Sequence, residues 1–154
     1  MRTEEMAMSE PKDSDRRGRT REMVRKLLDE RQLMLTMFCR VAGLQPFGNA
    51  NRGTDLLQEF CQVLVDYSAF GHSEIYERIV AGRERRNQVV EVAREVYPRI
   101  AEASEVAVEF NDKYDASTHA LDLNQLDRDL GKLGEELAVR IEMEDRIIQA
   151  LTTR

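Results

Sequence analysis

Residues 123–151 read LNQLDRDLGKLGEELAVRIEMEDRIIQAL, and their apolar spacing decides the fold. Leu123, Leu126, Leu130, Leu133, Leu137, Ile141, Ile148 and Leu151 recur at steps of three, four and seven. That spacing keeps them on one face of an α-helix, whereas a strand would alternate every second residue. Asp122 with Gln125 has the form of a capping box at the start of this helix.

Moving upstream, Asp115–Asp122 reads as a loop, and a second stripe precedes it. Val89, Val92, Ala93, Val96, Ile100, Ala103, Ala107, Phe110 and Tyr114 keep helical register across Pro98. Pro98 falls opposite the stripe, so the spacing predicts a solvent-side kink rather than a break. Further upstream, Leu57, Phe60, Cys61, Leu64 and Ser68 form the stripe of another helix, with Thr54 as its expected N-cap and Gly71 as its expected end. Ser73 is placed to cap a short helix stopping near Gly82. The first long helix begins at Thr20, with Val24, Leu27, Leu28, Leu35, Phe38 and Ala42 inward. It ends at Gly43, before a loop carrying Pro46, Gly48, Asn49 and Gly53. Residues 1–19 contain Pro11 and Gly18, lack an apolar period, and are expected to be a disordered tail. Residues 20–154 are expected to be one domain. The expected fold is all-α: an antiparallel four-helix bundle with an additional short helix and a kinked third long helix.

The totals suit this reading. The chain has 154 residues, 42% hydrophobic and 34% charged, a globular balance. No run approaches the roughly 18 apolar residues of a membrane span, and no apolar leader is visible, so a cytoplasmic location is expected. Cys39 and Cys61 lie on separate helices without CxxC spacing and read as small core residues. Charge is uneven: residues 1–54 carry 11 Lys/Arg against 8 Asp/Glu, while residues 55–154 carry 12 against 21, a net −9. An acidic body disfavours nucleic acid and suits a basic partner, although a solubilising surface explains it as well.

Two charges interrupt the apolar stripes. Arg31 lies between Leu27/Leu28 and Leu35, and Glu144 lies between Ile141 and Ile148. A buried unpaired charge is very unfavourable, so the two are expected to meet as a buried polar pair, the alternative being that both reach the surface. The second helix also carries a shoulder of Leu56, Val63, Tyr67 and Phe70, which widens its apolar arc to roughly 220°, beyond an ordinary stripe. Neighbouring helices or a partner could cover it. Asp55, Glu59 and Asp66 lie beside the shoulder.

Catalytic patterns are missing from the sequence. A carboxylate-bridged di-metal bundle needs two Glu-x-x-His pairs, but Ala69 and Ala116 precede His72 and His119 by three. No P-loop, GxGxxG or Ser/His/Asp arrangement occurs. His72 with Glu74 and Glu77 is the remaining metal reading, set against a histidine that merely closes a turn. No enzyme activity, cofactor or small-molecule substrate is expected. A helical module for protein contact is.

The run Phe60-Cys61-Gln62-Val63-Leu64-Val65-Asp66-Tyr67-Ser68, with Gly71-His72 and Ile75-Tyr76-Glu77-Arg78 after it, resembles the central motif of the Rsd/AlgQ family of sigma-factor regulators. Tyr97-Pro98 and Leu137-x-x-Arg140-Ile141-x-Met143-Glu144-Asp145-x-Ile147-Ile148 extend the resemblance, which covers the chain from about residue 20 to its end. It implies an all-helical anti-sigma factor that binds the C-terminal, −35-reading domain of the primary sigma factor and limits that factor's association with core RNA polymerase. No direct nucleic-acid or membrane contact is implied. The resemblance aligns Arg31 with the family's first-helix arginine, and Asp66, His72, Tyr76 and Glu77 with its central motif. With Leu35 and Tyr67, these are the candidate partner contacts. The family's Asp-Arg-Trp-Leu run is replaced here by Arg25-Lys26-Leu27-Leu28, and Ser73 stands where an aromatic commonly follows the Gly-His pair.

Overall fold

The computed structural model describes residues 13–43, 50–80 and 84–153. Its long helices are α1 (Asp13–Gly43), α2 (Ala50–Phe70), α4 (Asn87–Lys113) and α5 (Leu126–Thr152). A π-helical segment, Gly71–Tyr76, and a short α3, Glu77–Val80, continue directly from α2. No strand occurs among the described residues.

Four seams close the long helices into a ring around one core. Phe38 of α1 meets Phe60 of α2 edge-on at 5.9 Å. Phe60 in turn meets Phe110 of α4 at 5.9 Å. On the α4–α5 seam, Lys113 pairs with Asp129 at 2.7 Å, Arg99 with Glu136 at 2.8 Å and Glu95 with Arg146 at 3.0 Å. These partners advance along α5 as they retreat along α4, so the two helices run in opposite directions. Gly134 closes the ring, because a Cβ there would lie 2.9 Å from Cζ of Phe38. The small residue lets an aromatic ring rest on the backbone of α5.

The α4 stripe is buried as its spacing requires, apart from half-buried Val92, and α4 continues through the exposed Pro98. Elsewhere the structure corrects the expectations. Helix α1 starts at Asp13, seven residues before Thr20; residues 1–12 of the expected tail lie outside the described residues. Its deepest positions are Leu27, Met34, Met37 and Val41, whereas Leu35 and Phe38 are half-buried and Leu28 and Ala42 exposed. Thr54 is not an N-cap, because α2 already runs from Ala50. Pro46, Gly48, Asn49 and Gly82 lie outside the described residues. Asp122 accepts a hydrogen bond from the Asn124 N–H at 3.0 Å, a turn of its own, and α5 begins only at Leu126 without a side-chain cap.

Gly71 is not a helix end. The chain passes through it in wider turns, with the Glu77 N–H donating to the His72 carbonyl five residues back. Ser73, the expected cap, therefore sits inside a continuous helical segment. Gly71 is required for a different reason: a Cβ there would meet Nη2 of Arg140 at 2.9 Å. The glycine admits a guanidinium, and the extra residue in the turn re-aims the side chains that follow it.

Candidate functional site

The segment after Gly71 lies over a polar cluster built into the apolar core. At its centre is Glu144, 0% exposed. Oε1 accepts from Arg31 Nη2 at 3.2 Å and from the Tyr67 hydroxyl. Oε2 accepts from the Tyr76 hydroxyl at 2.8 Å and from Arg140 Nε at 3.1 Å. Arg140, 1% exposed, also bonds through its other two nitrogens: Nη1 donates to Ser104 Oγ at 2.9 Å and Nη2 to the Ser68 carbonyl at 3.3 Å. Its guanidinium also stacks 4.9 Å from the centre of the Tyr67 ring. All four long helices contribute to this arrangement.

Its electrostatics follow from the composition of the cluster. Arg31 pairs with Asp145 at 2.9 Å as well as with Glu144, so two guanidiniums face two carboxylates. Burial opposes the charge on Arg31 and Arg140, but the field of Glu144 and the bonds to the carboxylates outweigh it, and both are held above the usual arginine value. Burial, followed by the negative field of Glu144, pushes the Tyr67 and Tyr76 hydroxyls well above the ordinary tyrosine range. Both remain neutral donors. Cys61 is buried too, and its thiol is pushed up to about 12, which leaves it a core hydrophobe rather than a nucleophile.

The sequence-derived candidates divide into two groups. Arg31 and Glu144 are brought together. Tyr67 and Tyr76, named as partner contacts, are fully buried with their hydroxyls on Glu144, so their side chains offer no surface to a partner in this structure. The physical reason is that neighbouring helices cover the α2 shoulder, with Leu56, Val63 and Phe70 packed against the core. Exposed on the outside are Asp66, held by Gln62 Nε2 at 3.0 Å, and His72 and Glu77, 3.9 Å apart. Tyr97 of α4 joins this end through its hydroxyl, 3.3 Å from His72 Nδ1. Leu35 is half-buried on α1. Among the described residues, no group of three or more His, Cys, Asp or Glu is arranged to hold a metal ion.

Sequence reasoning missed Arg140 and the purpose of Gly71. A signal for Arg140 was present, since it precedes Glu144 by four residues and so shares its face. Beside it, Ile141 satisfied the apolar period and hid the second charge.

The described residues form a helical protein with a polar cluster enclosed among its four long helices, and its relatives define its class. The chain belongs to the Rsd/AlgQ family: the model of that family, described as regulator of RNA polymerase sigma(70) subunit, matches residues 6–152. Regulators of this family are non-enzymatic. A protein of Yersinia enterocolitica named Regulator of sigma D is 29% identical over 142 residues, spanning 88% of this chain and 84% of the relative. A protein of the same name from Salmonella newport is 29% identical over 141 residues, spanning 88% and 85%. No solved structure matches. No helix among the described residues is long and apolar enough to cross a membrane.

Proposed function

We propose that the chain is an anti-sigma factor that binds the C-terminal, −35-reading domain of the primary sigma factor and reduces the share of that factor joined to core RNA polymerase. It would act in the cytoplasm, where that enzyme works. The observation that carries this reading is family membership along nearly the whole chain, residues 6–152. Charge supports it: a domain that reads DNA is basic, and residues 55–154 sum to −9. We read the architecture as an antiparallel four-helix bundle with a bend in its third long helix at Pro98, and the outer face at Asp66, His72 and Glu77 as the contact surface. Arg31, Tyr67, Tyr76 and Glu144 form the buried cluster that positions the helices bearing that face, and half-buried Leu35 on α1 is a further candidate contact.

Calorimetry of the purified chain with its sigma domain tests the proposal. Wild type should bind at micromolar concentrations or below, and Asp66→Ala should weaken binding while leaving thermal unfolding unchanged. In a competition assay, the chain should displace the sigma factor from core polymerase. A wild-type protein that binds no sigma domain at tens of micromolar would overturn the function and favour another cytosolic protein partner.

A further inference from the structure

Arg78 of α3 is a half-buried cation whose partner is a sulfur atom. Its Nη1 donates to Met23 Sδ of α1 at 3.5 Å, and no carboxylate pairs with it among the described residues. A thioether is a weak acceptor, whereas a guanidinium carries five N–H donors. Glu84 lies close by, but its Oε2 is held by Arg86, through Nε at 2.9 Å and through the backbone N–H at 3.1 Å. The contact opens onto a cavity where α1, α3 and the end of α5 meet. Thr20, Met23, Ile75, Arg78, Ile79 and Leu151 border a space of about 40 Å³ that is open to solvent. A single water needs roughly 10–15 Å³ of such space, so one added oxygen atom fits.

The other described methionines lack this combination. Met34 is 0% exposed and Met37 6%, so both sulfurs are shielded, although Arg40 approaches that of Met37 at 3.9 Å. Met143 is half-buried like Met23, but no arginine donates to its sulfur among the described residues. Met23 alone of the four joins a sulfur that a small oxidant can reach to a guanidinium with donors to spare.

We propose that Met23 is a reversible oxidation site for peroxides, and that Arg78 captures the sulfoxide oxygen formed there. The sulfur lone pair attacks one oxygen of hydrogen peroxide, an S–O bond forms, and the O–O bond breaks. The proton of the S–OH group passes to the departing hydroxide. Sulfur has then lost two electrons and the peroxide has become water. The sulfoxide oxygen is a strong acceptor where the thioether was a weak one, and Arg78 donates to it a charge-assisted hydrogen bond. Oxidised methionine ordinarily loosens the packing around it. At this junction the new oxygen instead tightens the contact between α1 and α3, until a methionine sulfoxide reductase removes it.

The experiment treats the folded full chain with hydrogen peroxide and follows it by peptide mapping and thermal melting. Met23 should be oxidised at least about tenfold faster than Met34 or Met37, as its access requires. Melting is compared for wild type and Arg78→Ala, and for each with Met23→Leu added, before and after the same treatment. Met23→Leu is close to volume-conserving and keeps the fold. Subtracting its response removes the contribution of every other methionine. What remains should be a raised midpoint with Arg78 present and a lowered one with alanine there, and a methionine sulfoxide reductase should reverse both. Arg78→Gln, which keeps most of the aliphatic stem, replaces the alanine variant if that one melts too low to compare. A midpoint that falls equally with and without Arg78 would overturn the capture. A Met23 as resistant as Met34 would overturn the site.

Discussion

Arg140 and Glu144 stand one turn apart on α5, both inside the core, with Nε 3.1 Å from Oε2. An ion pair within one helix normally decorates a surface and contributes about 0.3–0.5 kcal/mol. Here the pair faces inward, and Arg31, Tyr67 and Tyr76 complete the coordination of its carboxylate. The pair therefore ties α1, α2 and the segment after Gly71 to α5, since each supplies a donor to this one carboxylate.

Removing Glu144 should be the most damaging single substitution in the cluster. Glu144→Leu leaves the Arg140 guanidinium buried without its counter-charge and two tyrosine hydroxyls without an acceptor. Breaking a buried pair in this way destabilises by about 3–5 kcal/mol. Arg31→Met should destabilise by less, about 1.5–3 kcal/mol, because Glu144 keeps Arg140 and both tyrosines. Urea unfolding of the two single variants and the double variant closes a cycle, and the double should be less unstable than the sum. Additivity within about 0.5 kcal/mol would show that the 3.2 Å contact carries no coupling.

Glycines give a prediction of opposite signs. A Cβ at Gly71 meets Arg140 Nη2 at 2.9 Å, and that guanidinium cannot withdraw without giving up Glu144, Ser104 and the Ser68 carbonyl. Gly71→Ala should destabilise by about 1–3 kcal/mol, as overpacking does. Gly131 lies inside α5 with nothing within 4 Å of its Cβ position. Gly131→Ala should stabilise by about 0.5–1 kcal/mol through helix propensity and a more restricted unfolded chain. Thermal or urea midpoints moving the same way in both variants would contradict this account.

How much of this was legible in the sequence depended on how many sides a helix buries. The α4 stripe could be read residue by residue because the helix has one clean apolar face and its proline lies away from it. On α1 the reading slipped by one position from Met34, Met37 and Val41 to Leu35, Phe38 and Ala42. That helix packs against both α2 and α5, so its apolar arc is broad and a wheel cannot locate its deepest line. Arg31 and Glu144 stood out because each interrupts a stripe. Arg140 did not, because an isoleucine beside it kept the period intact. Gly71 was read as a stop because a sequence cannot distinguish a glycine that ends a helix from one that admits a distant guanidinium.

The buried tyrosines predict alkaline sensitivity. In an unfolded chain a tyrosine ionises near pH 10. In the fold, burial and the Glu144 carboxylate hold Tyr67 and Tyr76 above that value. Above pH 10 the unfolded chain therefore carries fewer protons than the native one, and stability must fall as pH rises. The contribution is complete below pH 10 and is lost from there upward through the raised native values. Urea midpoints measured from pH 8 to pH 12 should be flat at first and then drop. Tyr67→Phe with Tyr76→Phe should lower stability at pH 8, because Glu144 loses two donors, and should make the fall above pH 10 shallower, because two ionisations have been removed. Tyrosinate absorbance followed beside far-ultraviolet circular dichroism supplies the second readout. The part of the absorbance change missing from the double variant should appear in wild type only as the helices melt. If that part develops while the helical signal is intact, Tyr67 and Tyr76 ionise inside the fold, and the polar cluster is more open than its geometry indicates.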